Sequence, residues 1–216
     1  MAQTHKKARL TQAERTARSD DRLFEASVNL IASKGPQRAT LSEIGTLAGY
    51  SRGLAAYRYG TKDVFYSALI AYLHDSWVAE LEQAVADTSG ADSIIAAVTA
   101  LQQFFRNEPD QLRALFKLYY YSIDHESVTT LKLQEIQASQ RREAARWFRE
   151  CDAFDPAEHS PENFAEQYSA LVFGAIYQWL VDPERIDLYD LLDCCKSSLL
   201  QLLPKPQNTR TGEKKS

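Results

Sequence analysis

A run of side chains between residues 51 and 58 combines hydroxyl groups and guanidinium groups with a glycine that leaves the backbone uncovered. Arg52 lies between Ser51 and Gly53, and Tyr57 follows Gly53 after one helical turn. A guanidinium pairs bidentately with guanine N7 and O6, and hydroxyls and cations contact phosphate oxygens. These residue types favour recognition of nucleic acid. The candidate contacts are Thr40, Ser51, Arg52, Gly53, Leu54, Ala55, Tyr57, Arg58 and Lys62.

The roles differ along this set. We expect Arg52 to read a base edge, with phosphate contact or solvation as the alternative. Thr40 and Lys62 are expected to contact phosphates, since Thr40 stands at a helix N-terminus. Leu54 and Ala55 could touch thymine methyl groups, or Ala55 could simply pack.

Two of these positions have two alternative interpretations each. Gly53 would permit close approach of the backbone to DNA, or be a glycine that the first helical turn tolerates. Tyr57 would meet a sugar or a phosphate, or pack against the first helix. Arg58 adds a charge on the same predicted side.

The elements that must position these residues form a helix-turn-helix. Thr40-x-x-Glu43 reads as a capping box, Gly49 supplies a left-handed turn residue, and Ser51 is predicted to cap the second helix of the motif. The predicted buried stripe of the first helix of the motif is Leu41, Ile44 and Leu47.

The rest of the chain predicts about nine helices and no sheet, an all-α fold. Thr11-x-x-Glu14 opens the first helix and Gly35 ends it, while Thr61 caps a long fourth helix. Further helices are predicted near 92–106, 110–122, 125–150, 162–181 and 187–203. We expect a DNA-binding domain over 1–62 with a disordered start, an effector-binding and dimerisation domain over 63–203, and a disordered tail over 204–216.

Charge is divided unevenly along the 216 residues. Residues 1–62 hold 11 lysines and arginines against 5 acidic residues, a net charge of +6, and the remainder carries −10, which gives −4 in all. A basic end on an acidic body is typical of a protein with one DNA-facing side. The low overall charge argues against a nucleoid-type binder without sequence preference. The alternative interpretation is a basic, disordered start on an enzyme.

No catalytic or metal-binding pattern is present in the sequence. It has no HExxH, no glycine-rich phosphate loop and no GxSxG, and its four histidines lack ligand spacing. We therefore expect no catalytic residues, no metal and no cofactor, with an all-helical enzyme as the remote alternative. An odd count of three cysteines, no signal peptide and no apolar run long enough to span a bilayer favour the cytoplasm and no membrane partner.

The stretch SRGLAAYRYGTKDVF over 51–65 resembles the recognition-helix segment of TetR-type transcriptional regulators. The similarity extends back to about residue 15, and the stretch 174–183, followed by Ile186-Asp-Leu, is similar to the last two helices of that family. Three positions depart from the family pattern: Ala56 stands for a frequent Tyr, Arg58 for a frequent His and Tyr59 for a frequent Phe.

The resemblance implies a homodimer in which three N-terminal helices bind a pseudo-palindromic operator and a larger helical domain binds a small molecule. Ligand binding would change the separation of the recognition helices and release the operator, so a repressor is expected; an activator or co-repressor-dependent regulator is the alternative. The effector is expected to be a small hydrophobic or aromatic molecule. The expected dimer contacts are Phe173, Gly174, Tyr177, Leu180, Leu191, Leu199 and Leu202, with an intramolecular core as the alternative.

Overall fold

A computed structural model describes residues 11–123 and 127–205. These residues form nine α-helices and no strand, which confirms the predicted all-α fold. The helices are α1 (Gln12–Lys34), α2 (Leu41–Leu47), α3 (Leu54–Tyr59), α4 (Lys62–Val85), α5 (Gly90–Asn107), α6 (Pro109–Tyr121), α7 (Val128–Arg149), α8 (Pro161–Val181) and α9 (Leu188–Leu202). Most of the predicted tail, residues 206–216, lies outside the described residues, as do residues 1–10 and His125.

The first helix begins and ends as its sequence predicts. Thr11 Oγ1 accepts a hydrogen bond of 3.2 Å from the Glu14 backbone N–H, and the Glu14 carboxylate accepts one of 2.7 Å from the Thr11 N–H. Gly35 follows the last turn with a φ of 81° and donates its N–H to the Ile31 carbonyl. The capping box satisfies two backbone groups that the first turn would otherwise leave unpaired.

The second predicted capping box forms only in part. Thr40 Oγ1 accepts a hydrogen bond of 3.1 Å from the Glu43 N–H, as predicted. The Glu43 carboxylate does not reach back to Thr40; it lies 2.7 Å from Lys34 Nζ at the end of α1. A charged donor from a neighbouring helix competes with the backbone amide for the carboxylate.

The turn of the helix-turn-helix is longer than predicted. Helix α3 begins at Leu54 with Gly53 as its N-cap, so the prediction that Ser51 caps this helix is wrong. The Ser51 carbonyl instead accepts a hydrogen bond of 3.1 Å from the Leu54 N–H. The predicted burial of Leu47 is also wrong: the residue is 58% exposed, while Ile44 alone of the predicted stripe is fully buried.

The core continues from the helix-turn-helix into the larger helical bundle through α4. Phe65 and Leu69 on this helix are fully buried, and Phe65 packs edge-on against Tyr59 of α3. Helix α4 then packs against α5 and α7, α1 packs against α6, and α8 packs against α7 and α9. One continuous apolar core therefore joins the two parts of the chain. Within the described residues, no helix combines the length and apolar character needed to cross a membrane.

Candidate DNA interface and effector cavity

One surface of the helix-turn-helix carries most of the predicted DNA contacts. Ser51, Arg52 and Gly53 in the turn are exposed, as is Thr40 at the start of α2. Tyr57 is 91% exposed, so the alternative in which it packs against α1 does not hold. An aromatic ring left in water at this position is available to a partner.

Helix α3 turns its opposite side inward. Ala55 is fully buried and Leu54 packs against the core, so Ala55 cannot touch a thymine methyl group, and that prediction is wrong. The helix has only six residues. Ala55 and Tyr59, four residues apart, lie on its inward side as the helical period requires, and Ala56 and Tyr57 lie on its exposed side.

Arg58 does not extend from the predicted DNA-facing side. Its Nη1 donates to Asp20 Oδ1 at 2.5 Å, to Ser19 Oγ at 2.7 Å and to the Thr16 carbonyl at 3.1 Å, all on α1. Tyr59 donates its hydroxyl to the same carboxylate at 2.8 Å, and burial together with this contact raises the pKa of Tyr59. Arg58 therefore fastens α3 to α1, and this geometry replaces the predicted DNA contact.

Lys62 is similarly engaged at the start of α4. Its Nζ donates to the Gln37 carbonyl at 3.0 Å and lies 5.3 Å from the ring centre of Tyr66 and 6.0 Å from that of Tyr121. Partial burial lowers the pKa of Lys62. Tyr66 donates its hydroxyl to the Pro36 carbonyl at 2.7 Å, so the loop between α1 and α2 is held by two side chains of α4.

Gly45 is a functional position that the sequence reasoning missed. A Cβ added at this residue would lie 2.6 Å from the Ser51 carbonyl oxygen, a separation that side chains do not adopt. The turn can fold back on α2 only because residue 45 has no side chain. A glycine inside a helix is destabilising by about 1 kcal/mol relative to alanine, and that unfavourable placement was the available signal.

A second site lies inside the larger helical bundle. Residues of α4, α5, α6, α7 and α8 enclose a cavity of about 70 Å³. Its wall is mostly apolar and aromatic, with Trp77, Leu101, Leu115, Phe116, Trp147 and Val172 among the lining residues. Small-molecule sites are commonly concave and apolar with a few polar groups, as this one is.

Three buried polar atoms on residues of this cavity have no partner within the described protein. They are the Tyr119 hydroxyl, the Gln140 Oε1 and the Trp147 Nε1. Burial raises the pKa of Tyr119, so its hydroxyl stays protonated and is a donor. Sequence reasoning could not find these residues, because an aromatic side chain at helical spacing reads as core whether or not its polar atom is paired.

A larger and more open groove lies at the start of α4. It is lined by Lys62, Tyr66 and Tyr121 among other residues. The polar atoms of Lys62 and Tyr66 already have protein partners there. We therefore place the candidate effector site in the interior cavity, where the polar atoms lack them.

The predicted dimer residues divide into two groups. Leu199 is fully buried, and Phe173 packs against Phe116 and Tyr119 at ring-centre distances of 5.3 and 6.2 Å, so both serve the interior of the chain. Leu180 and Leu191 are partly buried against the core. Tyr177, in contrast, is 51% exposed.

Both α8 and α9 carry exposed apolar groups. Val181, which was not among the predicted dimer residues, follows Tyr177 by one turn and is 66% exposed. On α9, Leu200 is exposed by 39% and Leu202, a predicted dimer contact, by 40%. A Cβ added at Gly174 would meet no atom within 4 Å, so the helix surface there is uncovered. Exposed apolar side chains one turn apart, such as Tyr177 and Val181, are typical of an interaction surface.

No group of three or more histidine, cysteine or acidic side chains suited to holding a metal ion occurs in the described ranges. No family model matches the sequence, and no curated protein matches it.

Solved structures resemble the chain closely in fold. SmeT, the repressor of the Stenotrophomonas maltophilia multidrug efflux pump SmeDEF, matches with a TM-score of 0.68 and 20% identity over 87% of this chain and 91% of its own. NalD, the secondary repressor of the MexAB-OprM multidrug efflux pump in Pseudomonas aeruginosa, has a TM-score of 0.68 and 16% identity over 90% of this chain and 100% of its own.

A TetR-like transcriptional regulator from Rhodococcus sp. RHA1 has a TM-score of 0.66 and 16% identity over 89% of this chain and 97% of its own. The chain has the TetR-type fold. In this fold the exposed turn and α3 lie at one end of the molecule's continuous core and the interior cavity lies in the larger bundle, with α4 and α6 between them.

Proposed function

We propose that this chain is a dimeric, sequence-specific DNA-binding regulator whose operator affinity is lowered by a small molecule bound in the interior cavity. The observation that carries the proposal is the exposed face of the helix-turn-helix, where Arg52 and Tyr57 stand free at the surface of a basic N-terminal segment. Exposed cationic and aromatic side chains at the start of a recognition helix suit base and phosphate contacts.

Arg52 is the residue that we propose reads a base. It is exposed and stands just before the N-cap of α3, at the end of the helix that enters the major groove in this type of motif. Gly53 lies beside it with no atom within 4 Å of the position where a Cβ would be, so the backbone there is open to the DNA. Thr40 and Ser51 supply exposed hydroxyls for phosphates.

Helix α6 supports the proposed coupling between the two sites. Phe116 and Tyr119 on this helix line the cavity, and Lys117 between them donates a hydrogen bond of 2.6 Å to the Ala32 carbonyl on α1. A ligand that displaces Phe116 or Tyr119 therefore moves a helix that is bonded to the DNA-binding part. A ligand shifts an equilibrium only by its difference in affinity for the two states, and this contact supplies a route for such a difference.

For the dimer we propose the exposed faces of α8 and α9. Tyr177 and Val181, one turn apart on α8, form an exposed apolar stripe that a second copy of the chain would bury, and Leu200 and Leu202 on α9 are further exposed apolar groups. A self-complementary face of this kind forms twofold dimers. Sedimentation of the chain and of Tyr177→Asp should give a dimer and a monomer, respectively.

For the sign of regulation we propose a repressor that the ligand releases from DNA. At about 70 Å³ the cavity is small in the ligand-free chain, so a ligand of several heavy atoms must push its walls apart. On the premise that the ligand-free arrangement is the one that binds DNA, this change favours release, and the repressor is proposed to act in the cytoplasm. The reverse outcome, a ligand that tightens operator binding, would indicate the co-repressor-dependent alternative.

Fluorescence anisotropy across a salt series tests the proposal. The labelled DNA is the segment upstream of the protein's own gene, and the control is a scrambled duplex of equal length. We expect a preference of at least about a hundredfold at moderate salt, in the range of specific DNA-binding proteins. Equal affinity for both duplexes, with steep salt dependence, would contradict sequence-specific recognition of this DNA.

SmeT and NalD, which share this fold, are repressors of multidrug efflux pumps, and this supports a regulator over an enzyme.

The substitution Arg52→Ala tests the proposed base contact directly. Loss of a base contact should reduce operator binding by about 1–3 kcal/mol and spare the scrambled duplex. An equal loss on both duplexes would show that Arg52 contacts phosphate.

A further inference from the structure

We propose that the effector of the interior cavity is a small, uncharged aromatic molecule that carries a hydroxyl group, such as a simple phenol. This inference rests on the proposed function, because it assigns a ligand class to the site proposed there. It depends on three unpaired polar atoms, on the charge of the wall and on the size of the cavity.

The unpaired atoms are buried on residues that line the cavity, and we take them as the hydrogen-bond partners of a ligand that moves the wall. Trp147 is 2% exposed and its Nε1 is a donor only; Tyr119 is 5% exposed and its hydroxyl both donates and accepts. The Gln140 Oε1 is an acceptor. A ligand hydroxyl, which accepts from one group while it donates to another, can satisfy atoms of both kinds. A hydrocarbon ring would leave them unpaired, which is unfavourable in a buried site.

The residues that line the cavity disfavour a charged ligand. No lysine, arginine or histidine is among its lining residues. Glu143 is the one lining carboxylate, and it is already paired with Arg146, which also lies 2.7 Å from the Glu150 carboxylate. A carboxylate or phosphate ligand would therefore enter the cavity without a counter-charge, and a buried charge without a partner is strongly disfavoured.

The ring of the ligand follows from the apolar part of the wall. Trp77, Phe116, Trp147 and Tyr168 present aromatic surfaces to one space, and aromatic rings pair favourably at offset or edge-on geometry. The cavity of about 70 Å³ is smaller than the engineered cavity of about 150 Å³ that binds benzene. A single ring is thus the largest unit that modest movement of the wall can admit.

The adjoining groove between α6, α7 and α8 is the competing location. It shares Tyr119, Ser169 and Phe173 with the cavity and adds Arg141, which could pair with an anionic ligand. A neutral phenol gains nothing from this guanidinium, whereas a carboxylate would. The charge of the preferred ligand therefore distinguishes the cavity from the groove.

Isothermal titration calorimetry of the full chain with three matched probes tests the inference. Para-cresol has the ring and the hydroxyl, toluene has the ring alone, and benzoate has the ring with a negative charge. We expect para-cresol to bind at least about fivefold more tightly than toluene, the ratio given by one net hydrogen bond. Benzoate should not bind measurably, and para-cresol should weaken binding of the operator.

Substitutions of the two donors identify the atoms involved. Tyr119→Phe removes the hydroxyl and keeps the ring, so it should weaken para-cresol by about two- to tenfold and leave toluene unchanged. Trp147→Phe removes the Nε1 donor and also enlarges the cavity, so its readout is the ratio of para-cresol to toluene affinity, which should fall by about two- to tenfold. Trp179→Phe is the matched control, because its indole packs on Phe105 and Arg113 outside the cavity. Circular dichroism of each variant shows whether the fold is retained.

Three results would contradict the proposed ligand class. Toluene that binds as tightly as para-cresol would show that the polar atoms do not select the ligand, and absence of binding by all three probes would exclude a small aromatic effector. Benzoate binding that is lost in Arg141→Ala would place an anionic ligand in the groove. Operator binding is measured on the same preparations. If operator binding stays sequence-specific, only the proposed ligand class is wrong. Loss of sequence-specific operator binding would contradict the proposed function.

Discussion

Lys117 Nζ donates a hydrogen bond of 2.6 Å to the carbonyl oxygen of Ala32, and this bond joins α6 of the larger helical bundle to α1. The partly buried ammonium has a lowered pKa because burial disfavours its charged form. Phe116 and Tyr119, on either side of Lys117 in the sequence, line the cavity. One helix therefore lines the cavity and contacts α1 at the same time.

Removing this bond should uncouple the two sites. In Lys117→Met the aliphatic stem is retained but the Ala32 carbonyl loses its donor, so para-cresol should still bind the cavity while its effect on operator affinity falls towards none. Stability should drop by about 1 kcal/mol, the usual size of a lost hydrogen bond. Anisotropy titrations with and without para-cresol measure the coupling.

The control for this prediction is Lys132→Met, because Lys132 forms its ion pair with Glu135 of its own helix α7 and is not bonded to α1 in the described part of the chain. It should behave as the unmodified chain. If Lys117→Met retains full release of the operator, coupling must pass through another contact between the two parts.

Substitution by alanine should affect stability differently at two glycines of the helix-turn-helix. Gly45→Ala places a Cβ 2.6 Å from the Ser51 carbonyl oxygen, so it should destabilise the chain by about 1–3 kcal/mol through overpacking. Gly53→Ala meets no protein atom within 4 Å and should leave stability within about 0.5 kcal/mol. Urea denaturation measures both.

The affinity for the operator provides a second comparison for the Gly53→Ala variant. Gly53→Ala should weaken the operator complex although the chain is as stable as before, because the added methyl group stands between the backbone and the DNA. An unchanged operator affinity would mean that Gly53 is only tolerated in the first turn of α3, the alternative that the sequence left open.

Arg58 should behave as a structural residue and Arg52 as a DNA contact. Arg58→Ala removes three hydrogen bonds to α1 and should lower stability by about 1–3 kcal/mol. Asp20→Asn changes the other end of this contact without altering any exposed cation, so it should reproduce the direction of the Arg58→Ala effect. Thermal unfolding of Arg52→Ala should match the unmodified chain. A stable Arg58→Ala variant with a shallower salt dependence of DNA binding would restore Arg58 as a phosphate contact.

Lys62 tests the same distinction at the start of α4. Its ammonium already contacts the Gln37 carbonyl and lies over two tyrosine rings. We therefore expect Lys62→Met to weaken binding of all duplexes by displacing the loop between α1 and α2, with an unchanged slope of affinity against salt. A slope shallower by about one counterion would instead establish the phosphate contact that the sequence predicted.

The contrast between Thr11 and Arg58 illustrates what the sequence could predict. Thr11, Gly35 and Thr61 act on backbone groups within four residues, so their spacing located the helix ends. Arg58 depends on Asp20, 38 residues away, and Leu47 depends on where the short α2 ends against its neighbours. The local pattern carries no information on such partners.

The cavity was beyond prediction for the same reason. Tyr119 lies on α6 and Trp147 on α7, and each reads as an ordinary core aromatic in its own helix. Their unpaired polar atoms become informative only when the packing of five helices brings them to one space. The sequence predicted the exposed face of α8 only in part. Of the apolar stripe that it assigned to this face, Tyr177 is exposed, whereas Phe173 and Leu180 pack against the core.

His74 on α4 should make stability fall at mildly acidic pH. Burial lowers its pKa from 6.5 in the folded chain, against the opposing effect of Asp75; Lys132 lowers it further and Glu135 raises it. The unfolded chain therefore binds the proton more readily, and stability decreases as pH falls below about 6.5 towards the lowered folded pKa. The slope for one proton is at most about 1.4 kcal/mol per pH unit.

Urea denaturation at a series of pH values between neutral and mildly acidic measures this dependence. His74→Gln should flatten the curve in that window, because glutamine cannot take up the proton. Asp75 Oδ1 lies 4.0 Å from the His74 Nδ1. If His74→Gln instead steepens the loss of stability, the protonated imidazole pairs with Asp75 in the folded chain, and this ion pair outweighs the effect of burial.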